Sequence, residues 1–218
     1  MNTDPAFFPM MVNLRGKKCV VVGGGRIAAD KIAGLLRHGA RIVVVSPLAK
    51  RRIQTQAQAG KLAWKRRAFA ANDVAGAFLV VAAANSPGMN EAVFRACNVR
   101  GVLCNAVDDP EHCDFFYPAV VRRGPLQIAI STNGLSPALA GRLRRQLERE
   151  FGPEWGAWVQ DLGKRRREIL GEEIPPQRRR KLLLEMVSPQ EFRAFLRRRE
   201  REHSTSGTQK RLSRTRHK

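Results

Sequence analysis

Residues 17–31 read Lys17-Lys18-Cys19-Val20-Val21-Val22-Gly23-Gly24-Gly25-Arg26-Ile27-Ala28-Ala29-Asp30-Lys31, and the fold is decided here. A β-rich apolar run ends in three glycines, after which Ile27, Ile32, Leu35 and Leu36 recur at helical spacing. The pattern predicts a strand, a tight turn and a helix. Gly23, Gly25 and Ala28 fit G-x-G-x-x-A in the strand-before, helix-after context that a dinucleotide fingerprint requires. Gly23 permits the turn, Gly25 lets the backbone reach a pyrophosphate, and Ala28 allows close helix–sheet packing. The turn Gly23-Gly24-Gly25 and the first helical residues Arg26, Ile27 and Ala28 would offer N–H groups and a partial positive charge to phosphates. The bland alternative is a glycine turn without a ligand; the context favours the ligand.

Outward from this stretch the same alternation continues. RIVVVSP (41–47) reads as a second buried strand followed by a polar helix to about Gly60, LAWK (62–65) as a third strand, and AFLVVAAA (77–84) as a fourth. A helix over 87–98 then leads to a fifth strand, GVLCNAV (101–107). Continuous apolar strands alternating with helices imply a parallel sheet covered on both faces. The expected fold is α/β, a Rossmann-type doubly wound domain over residues 1–114. FFYPAVVRRGPLQIAIST (115–132) looks instead like two β segments joined at Arg123-Gly124-Pro125. Ser136-Pro137 is a good helix start, and Leu139, Leu143 and Leu147 share one face of the helix that follows. The expected division is a small β/α region at 115–151, a helical domain at 152–202 and a disordered basic tail at 203–218.

The chain has 218 residues, 40 Lys+Arg against 19 Asp+Glu, and a net charge of +21. That excess points to an anionic partner. Nucleic acid is disfavoured, since one Tyr and three Trp offer little stacking surface and no nucleic-acid motif appears. No apolar run approaches the roughly 18–20 residues that span a bilayer. MNTDPAFFPMM lacks the pattern of a secretory signal. Cys19, Cys97, Cys104 and Cys113 form no C-x-x-C pair, so reduced thiols in a cytoplasmic protein are expected.

Three further segments carry candidate chemistry. Ser46-Pro47-Leu48 stands where a second strand normally supplies Asp or Glu to the adenine ribose, with Lys50, Arg51 and Arg52 just beyond. On these residues alone NAD and NADP stay open. Asn105-Ala106-Val107-Asp108-Asp109-Pro110 leaves the fifth strand at the edge where open α/β sheets place ligands, so a carboxylate there suits a proton acceptor or a metal ligand; a plain Asp-Asp-Pro turn is the alternative. His112 and Cys113 lack a metal-ligand spacing and read as a surface loop, so no metal site is expected. Ser131-Thr132-Asn133-Gly134-Leu135-Ser136-Pro137 is a polar loop at a helix start, fit for carboxylate binding or for ordinary capping.

Taken together, FPMMVNLRGKKCVVVGGGRIAADK, RIVVVSP, FLVVAAANSPGMNEAV, LCNAVDDP and FFYPAVVRRGPLQIAISTNGLSPALAGRLRRQLE resemble the precorrin-2 dehydrogenase family, the N-terminal module of siroheme synthases and its stand-alone relatives. The resemblance covers roughly residues 8–151 and fades beyond about 170. It implies oxidation of precorrin-2 to sirohydrochlorin with NAD as hydride acceptor, followed in some members by ferrous-iron insertion. It implies cofactor contacts from Gly23 to Ala28, at Ser46, Pro47 and Leu48, and at Ala84 and Asn85. Asp108 matches the family's key aspartate, proposed as general base and participant in chelation. Ser131, phosphorylated in some members, falls beside the tetrapyrrole pocket with Asn105, Thr132, Asn133, Gly134 and Ser136. The family is homodimeric through its central β segments and the next helix, and generally uses NAD. Nothing here matches a siroheme synthase's methyltransferase module, so methylation of uroporphyrinogen is not expected of these residues. The physical reading agrees, because precorrin-2 is a polycarboxylate that a basic protein would attract. The competing function is a catalytically inactive Rossmann-type nucleotide sensor.

Overall fold

The computed structural model describes residues 7–215. Residues 1–6 of the N-terminal stretch and 216–218 of the expected tail lie outside it. Its residues fall into two units, one running to Tyr117 and taking in Asn133–Leu135, the other formed by Pro118–Thr132 and the chain from Ser136 onward.

In the first unit β1 (Lys18–Val22), α1 (Arg26–Arg37), β2 (Arg41–Val45), α2 (Arg51–Gln58) and β3 (Ala63–Lys65) follow one another. Then come β4 (Leu79–Ala82), α3 (Pro87–Asn98) and β5 (Leu103–Ala106). The strands form one parallel sheet in the order β3-β2-β1-β4-β5. Strand order therefore reverses between β1 and β4, the switch point at which open α/β sheets bind ligands beyond their carboxyl ends. Alternation along each strand feeds two core layers. Cys19, Val21, Ile42, Val44 and Val81 face Ala28, Ala29, Ile32 and Leu35 of α1 and Ile53 of α2. Val20, Val22, Val80, Ala82 and Cys104 face Val93, Ala96 and Cys97 of α3. The link from β3 to β4 holds only a 3-10 turn (Ala71–Val74), anchored by the buried Asp73, which Arg67 at 2.6 Å and Lys65 at 2.8 Å pair with.

In the second unit β6 (Ala119–Arg123) and β7 (Leu126–Ile130) form an antiparallel hairpin with Arg123 opposite Leu126. Its two-residue loop starts with Gly124 at φ 54°, a conformation that favours glycine. Helix α4 (Pro137–Glu150) is tied to the hairpin by Arg123, which donates to the carbonyls of Phe151 (2.6 Å) and Glu148 (2.7 Å). Helix α5 (Glu154–Gly171) packs at Gly156, where a Cβ would come within 2.7 Å of the Arg123 carbonyl. The hairpin, α4 and α5 therefore belong to one unit, and the expected cut at 151 has no counterpart. Helices α6 (Pro176–Glu185) and α7 (Pro189–Thr215) follow, with Trp155, Trp158 and Phe192 stacking in the unit's core. Helix α7 also corrects the expectation of a disordered tail from 203, since its backbone stays helical to Thr215. The segment is poor in core-forming residues, which bears on packing and not on the backbone's own hydrogen bonds, and no proline interrupts it.

Ile32, fully buried between α1 and the sheet, should be costly to truncate. Ile32→Ala is expected to lower unfolding free energy by about 2–5 kcal/mol. Val99→Ala, at a site 84% exposed, should change it by less than about 0.5 kcal/mol in the same urea titration.

Candidate active site

Four loops leave the carboxyl ends of β2, β1, β4 and β5, which are neighbours in the sheet. The turn after β1 is fixed by its own surroundings. Gly23 has φ 122°, and a Cβ on it would collide with the Ala83 carbonyl after β4. A Cβ on Gly24 would collide with the Leu48 carbonyl after β2, while the Gly24 carbonyl accepts from the Lys50 N–H at 2.8 Å. The first two glycines are thus required by backbones of the protein itself.

Gly25 is different. It is the N-cap of α1 at φ −77°, and a Cβ there would meet nothing nearer than Asn85 Oδ1 at 3.9 Å. No packing inside the chain calls for glycine, so the space above it is a cradle at the mouth of α1, where the first N–H groups of the helix lack intrahelical partners. A pyrophosphate fits that cradle in size and charge. Ala28 is fully buried against the sheet, as close packing requires, whereas Arg26, Ile27, Pro47 and Leu48 are exposed.

The Ser46 hydroxyl donates to the Leu48 carbonyl at 2.7 Å, so its proton serves the turn and only its lone pairs are left for a ligand. Arg52 is drawn to Asp30 at 3.5 Å, while Lys50 and Arg51 are exposed. The loop after β4 is pinned by Asn90 of α3, a buried side chain that accepts from the Ala84 N–H (3.1 Å) and donates to its carbonyl (3.3 Å).

After β5 the chain makes a tight, bonded turn. Asp108 is exposed with φ 61°, an uncommon backbone for a non-glycine residue. Its neighbours are committed to structure. Asp109 pairs with His112 Nδ1 at 2.6 Å, and the Cys113 thiol donates to the carbonyls of Ala106 and Asp109. The buried Asn105 donates through Nδ2 to the Phe115 carbonyl at 2.9 Å, and Asp114 accepts from the Cys104 N–H at 2.8 Å. Asn105 is therefore the clamp of the Asp108 loop. Among the described residues no group of three or more His, Cys, Asp or Glu is placed to hold a metal ion.

The remaining candidates divide between the units. Asn133 (φ 50°) and Gly134 lie in the first, with Gly134 against the Phe116 ring at 3.5 Å from an added Cβ. Ser131, Thr132 and Ser136 lie in the second. There Thr132 Oγ1 accepts from the Ser136 N–H at 3.0 Å, and Ser136 Oγ caps α4 by accepting from the Leu139 N–H at 3.3 Å.

The family model described as "Putative NAD(P)-binding" matches residues 10–119, and one described as "Sirohaem biosynthesis protein central" matches 123–150. A solved structure of SirC, a precorrin-2 dehydrogenase, superposes with a TM-score of 0.74 at 30% identity, over 89% of this chain and 100% of that one. This chain belongs to the precorrin-2 dehydrogenase family. It is also 36% identical over 163 residues to a siroheme synthase of Nitrosococcus oceani, and 37% identical over 163 residues to one of Photorhabdus laumondii. Each alignment covers 75% of this chain and 35% of the siroheme synthase, so the chain spans about a third of those relatives' length.

Two residues of this precorrin-2 dehydrogenase family member escaped the sequence reading. Asn90 has no motif to mark it, only its place in the helix after β4. Lys31 of α1 is half-buried, with Nζ 3.8 Å from the centroid of the Tyr117 ring. Burial lowers the Lys31 pKa, while Cys113 and then Asp108 act to raise it. Burial also pushes the Cys113 thiol up. Helical spacing set Lys31 one turn beyond the exposed Ile27; the partners on the β5 loop were the missing signal.

The cradle yields a direct test. Aspartate is a favoured N-cap residue, so Gly25→Asp should keep or raise the melting temperature. The same carboxylate would fill the cradle and repel phosphate, weakening NAD binding by at least about tenfold. Calorimetric titration and thermal unfolding of one preparation check both halves, and NAD bound as tightly as by the wild type would remove this turn from the cofactor site.

Proposed function

We propose that this chain oxidises precorrin-2 to sirohydrochlorin, with NAD as the acceptor. The observation that carries this reading is the glycine cradle and the exposed Asp108 carboxylate on one sheet edge, in a chain that shares the fold of a precorrin-2 dehydrogenase over that structure's full length. The oxidation removes two hydrogens from the macrocycle, one as hydride and one as a proton. NAD, when bound, supplies the hydride acceptor. Gly25 and the N-terminal turn of α1, from Arg26 to Ala28, hold its pyrophosphate. Ser46, Pro47 and Leu48 line its adenosine half, and Ala84 and Asn85 hold it from the loop after β4. Asp108 takes the proton. Asn105 keeps the Asp108 loop on β5 and so fixes where that carboxylate stands. Ser131, Thr132, Asn133, Gly134 and Ser136 are the proposed ligands for carboxylate arms of the substrate, in a protein whose charge of +21 attracts polyanions.

Two finer readings accompany this one. Ferrous insertion into sirohydrochlorin would use the same Asp108, with iron as a substrate. The hairpin is a two-stranded sheet whose outer edges have no strand partner among the described residues, which favours a homodimer formed through β6, β7 and α4. All four cysteines are free, which suits a cytoplasmic setting, and no helix among the described residues is long and apolar enough to cross a membrane.

The test is anaerobic turnover of precorrin-2 with NAD, followed by addition of ferrous or cobaltous ion. Asp108→Ala should slow dehydrogenation by about 10²–10⁴ and leave NAD affinity within about twofold of the wild type. Asp109→Ala removes the His112 pair instead, so a small loss of stability with near-normal turnover is expected. A nucleotide sensor would bind NAD with no turnover at all, and Asp108→Ala at the wild-type rate would place the base elsewhere.

A further inference from the structure

The turn after β5 holds a second base besides Asp108. Asp109 Oδ2 lies 2.6 Å from Nδ1 of His112, the last residue of the 3-10 turn Pro110–His112. An ionised carboxylate only accepts, so the proton of the neutral imidazole sits on Nδ1 and Nε2 keeps its lone pair. The Phe94 ring of α3 meets the imidazole edge to face, with centroids 5.0 Å apart, and holds it from a second side. Nε2 itself is neither bonded to another described residue nor buried. A carboxylate on one ring nitrogen fixes the tautomer and orientation of a histidine and makes the bare nitrogen more basic. The other polar side chains of the turn lack this combination. Cys113 spends its thiol on the carbonyls of Ala106 and Asp109, and Asp114 accepts from the Cys104 N–H. Glu111 is exposed, and no bond to a described residue fixes its place.

Dehydrogenation gives up one proton, which Asp108 takes. Insertion of a divalent ion gives up two. A free-base tetrapyrrole carries two N–H protons at its centre, and both leave as the ring nitrogens bind the ion, with no electron transferred. One carboxylate accepts one of them. We propose that His112 is the second proton acceptor of metal insertion: Nε2 takes one ring N–H proton and Asp108 takes the other. Ferrous ion and sirohydrochlorin thus give siroheme and two protons, which the two side chains pass on to water. Asp109 stabilises the imidazolium that forms. The inference rests on the reading of ferrous insertion at Asp108, with iron as a substrate, and gives His112 no part in dehydrogenation.

Insertion is measured anaerobically with sirohydrochlorin and cobaltous ion supplied directly, so that no dehydrogenation is needed, and the rate without protein is subtracted. His112→Ala should slow insertion by at least about tenfold, as loss of a positioned proton acceptor does. NADH formation from precorrin-2 by the same variant should stay within about twofold of the wild type. Imidazole in the buffer should restore most of the lost insertion, read against wild type in the same buffer to correct for ion that imidazole takes up. A base supplied from solution replaces a proton acceptor and does not mend a displaced loop. Wild-type insertion in His112→Ala, a loss that imidazole leaves untouched, or NADH formation that falls in step with insertion would overturn the proposal. So would insertion by the wild type no faster than without protein, although NADH formation from precorrin-2 would still stand. Conversely, insertion that depends on His112 with no NADH formed from precorrin-2 would remove the proposed dehydrogenation and support this inference.

Discussion

Gly23 and Gly24 approach the backbones leaving β4 and β2 more closely than any Cβ would permit, and the functional edge of the sheet depends on that approach. Through it the loops after three adjacent strands are drawn together at the topological switch point. Gly25 then stands free of the protein's own packing demands, and its missing side chain leaves open space at the mouth of α1. Three consecutive glycines thus divide into two that close the fold and one that keeps a cradle open. A substitution at either of the first two would move the loops themselves, whereas one at the third would meet no backbone of the protein.

The loop after β5 solves a different problem, which is to present one carboxylate to solvent from a rigid base. Asn105, Asp109, Cys113 and Asp114 all turn their polar atoms inward on the loop's own backbone or on His112. Asp108 alone is left outward, on a backbone that a non-glycine residue adopts uncommonly. Such strain persists only where surrounding bonds over-determine it, and here those bonds are present. The consequence is a carboxylate whose main chain is fixed and whose side chain is governed by what faces it.

The first unit was legible because its signals are local and periodic. Apolar runs after residues 17, 40, 77 and 101, with a glycine fingerprint between strand and helix, left little choice but a doubly wound parallel sheet. Ser136 as an N-cap and the turn at Gly124 were equally local and are found as expected. What sequence could not show is how polar atoms are spent. The Ser46 hydroxyl gives its proton to the Leu48 carbonyl, and the Asn105 amide clamps the loop after β5, neither of which residue type alone discloses. Lys31 gave no signal, since the ring it lies over, Tyr117, is 86 residues away in the chain. The second unit was legible in its elements and not in their packing. Its helices were read correctly as helices, but their joint packing on the hairpin through Arg123 and Gly156 is a tertiary fact, and a count of apolar residues does not reveal that the backbone stays helical beyond 202.

The glycine cradle and the β5 carboxylate have to serve one redox reaction if the chain is a dehydrogenase. The most direct measurement is the stoichiometry of a single anaerobic turnover, with enzyme in excess over precorrin-2 and NAD saturating. One NADH formed for each sirohydrochlorin is the result this structure predicts. NAD bound at the cradle with no NADH formed, while precorrin-2 persists unchanged, would contradict it.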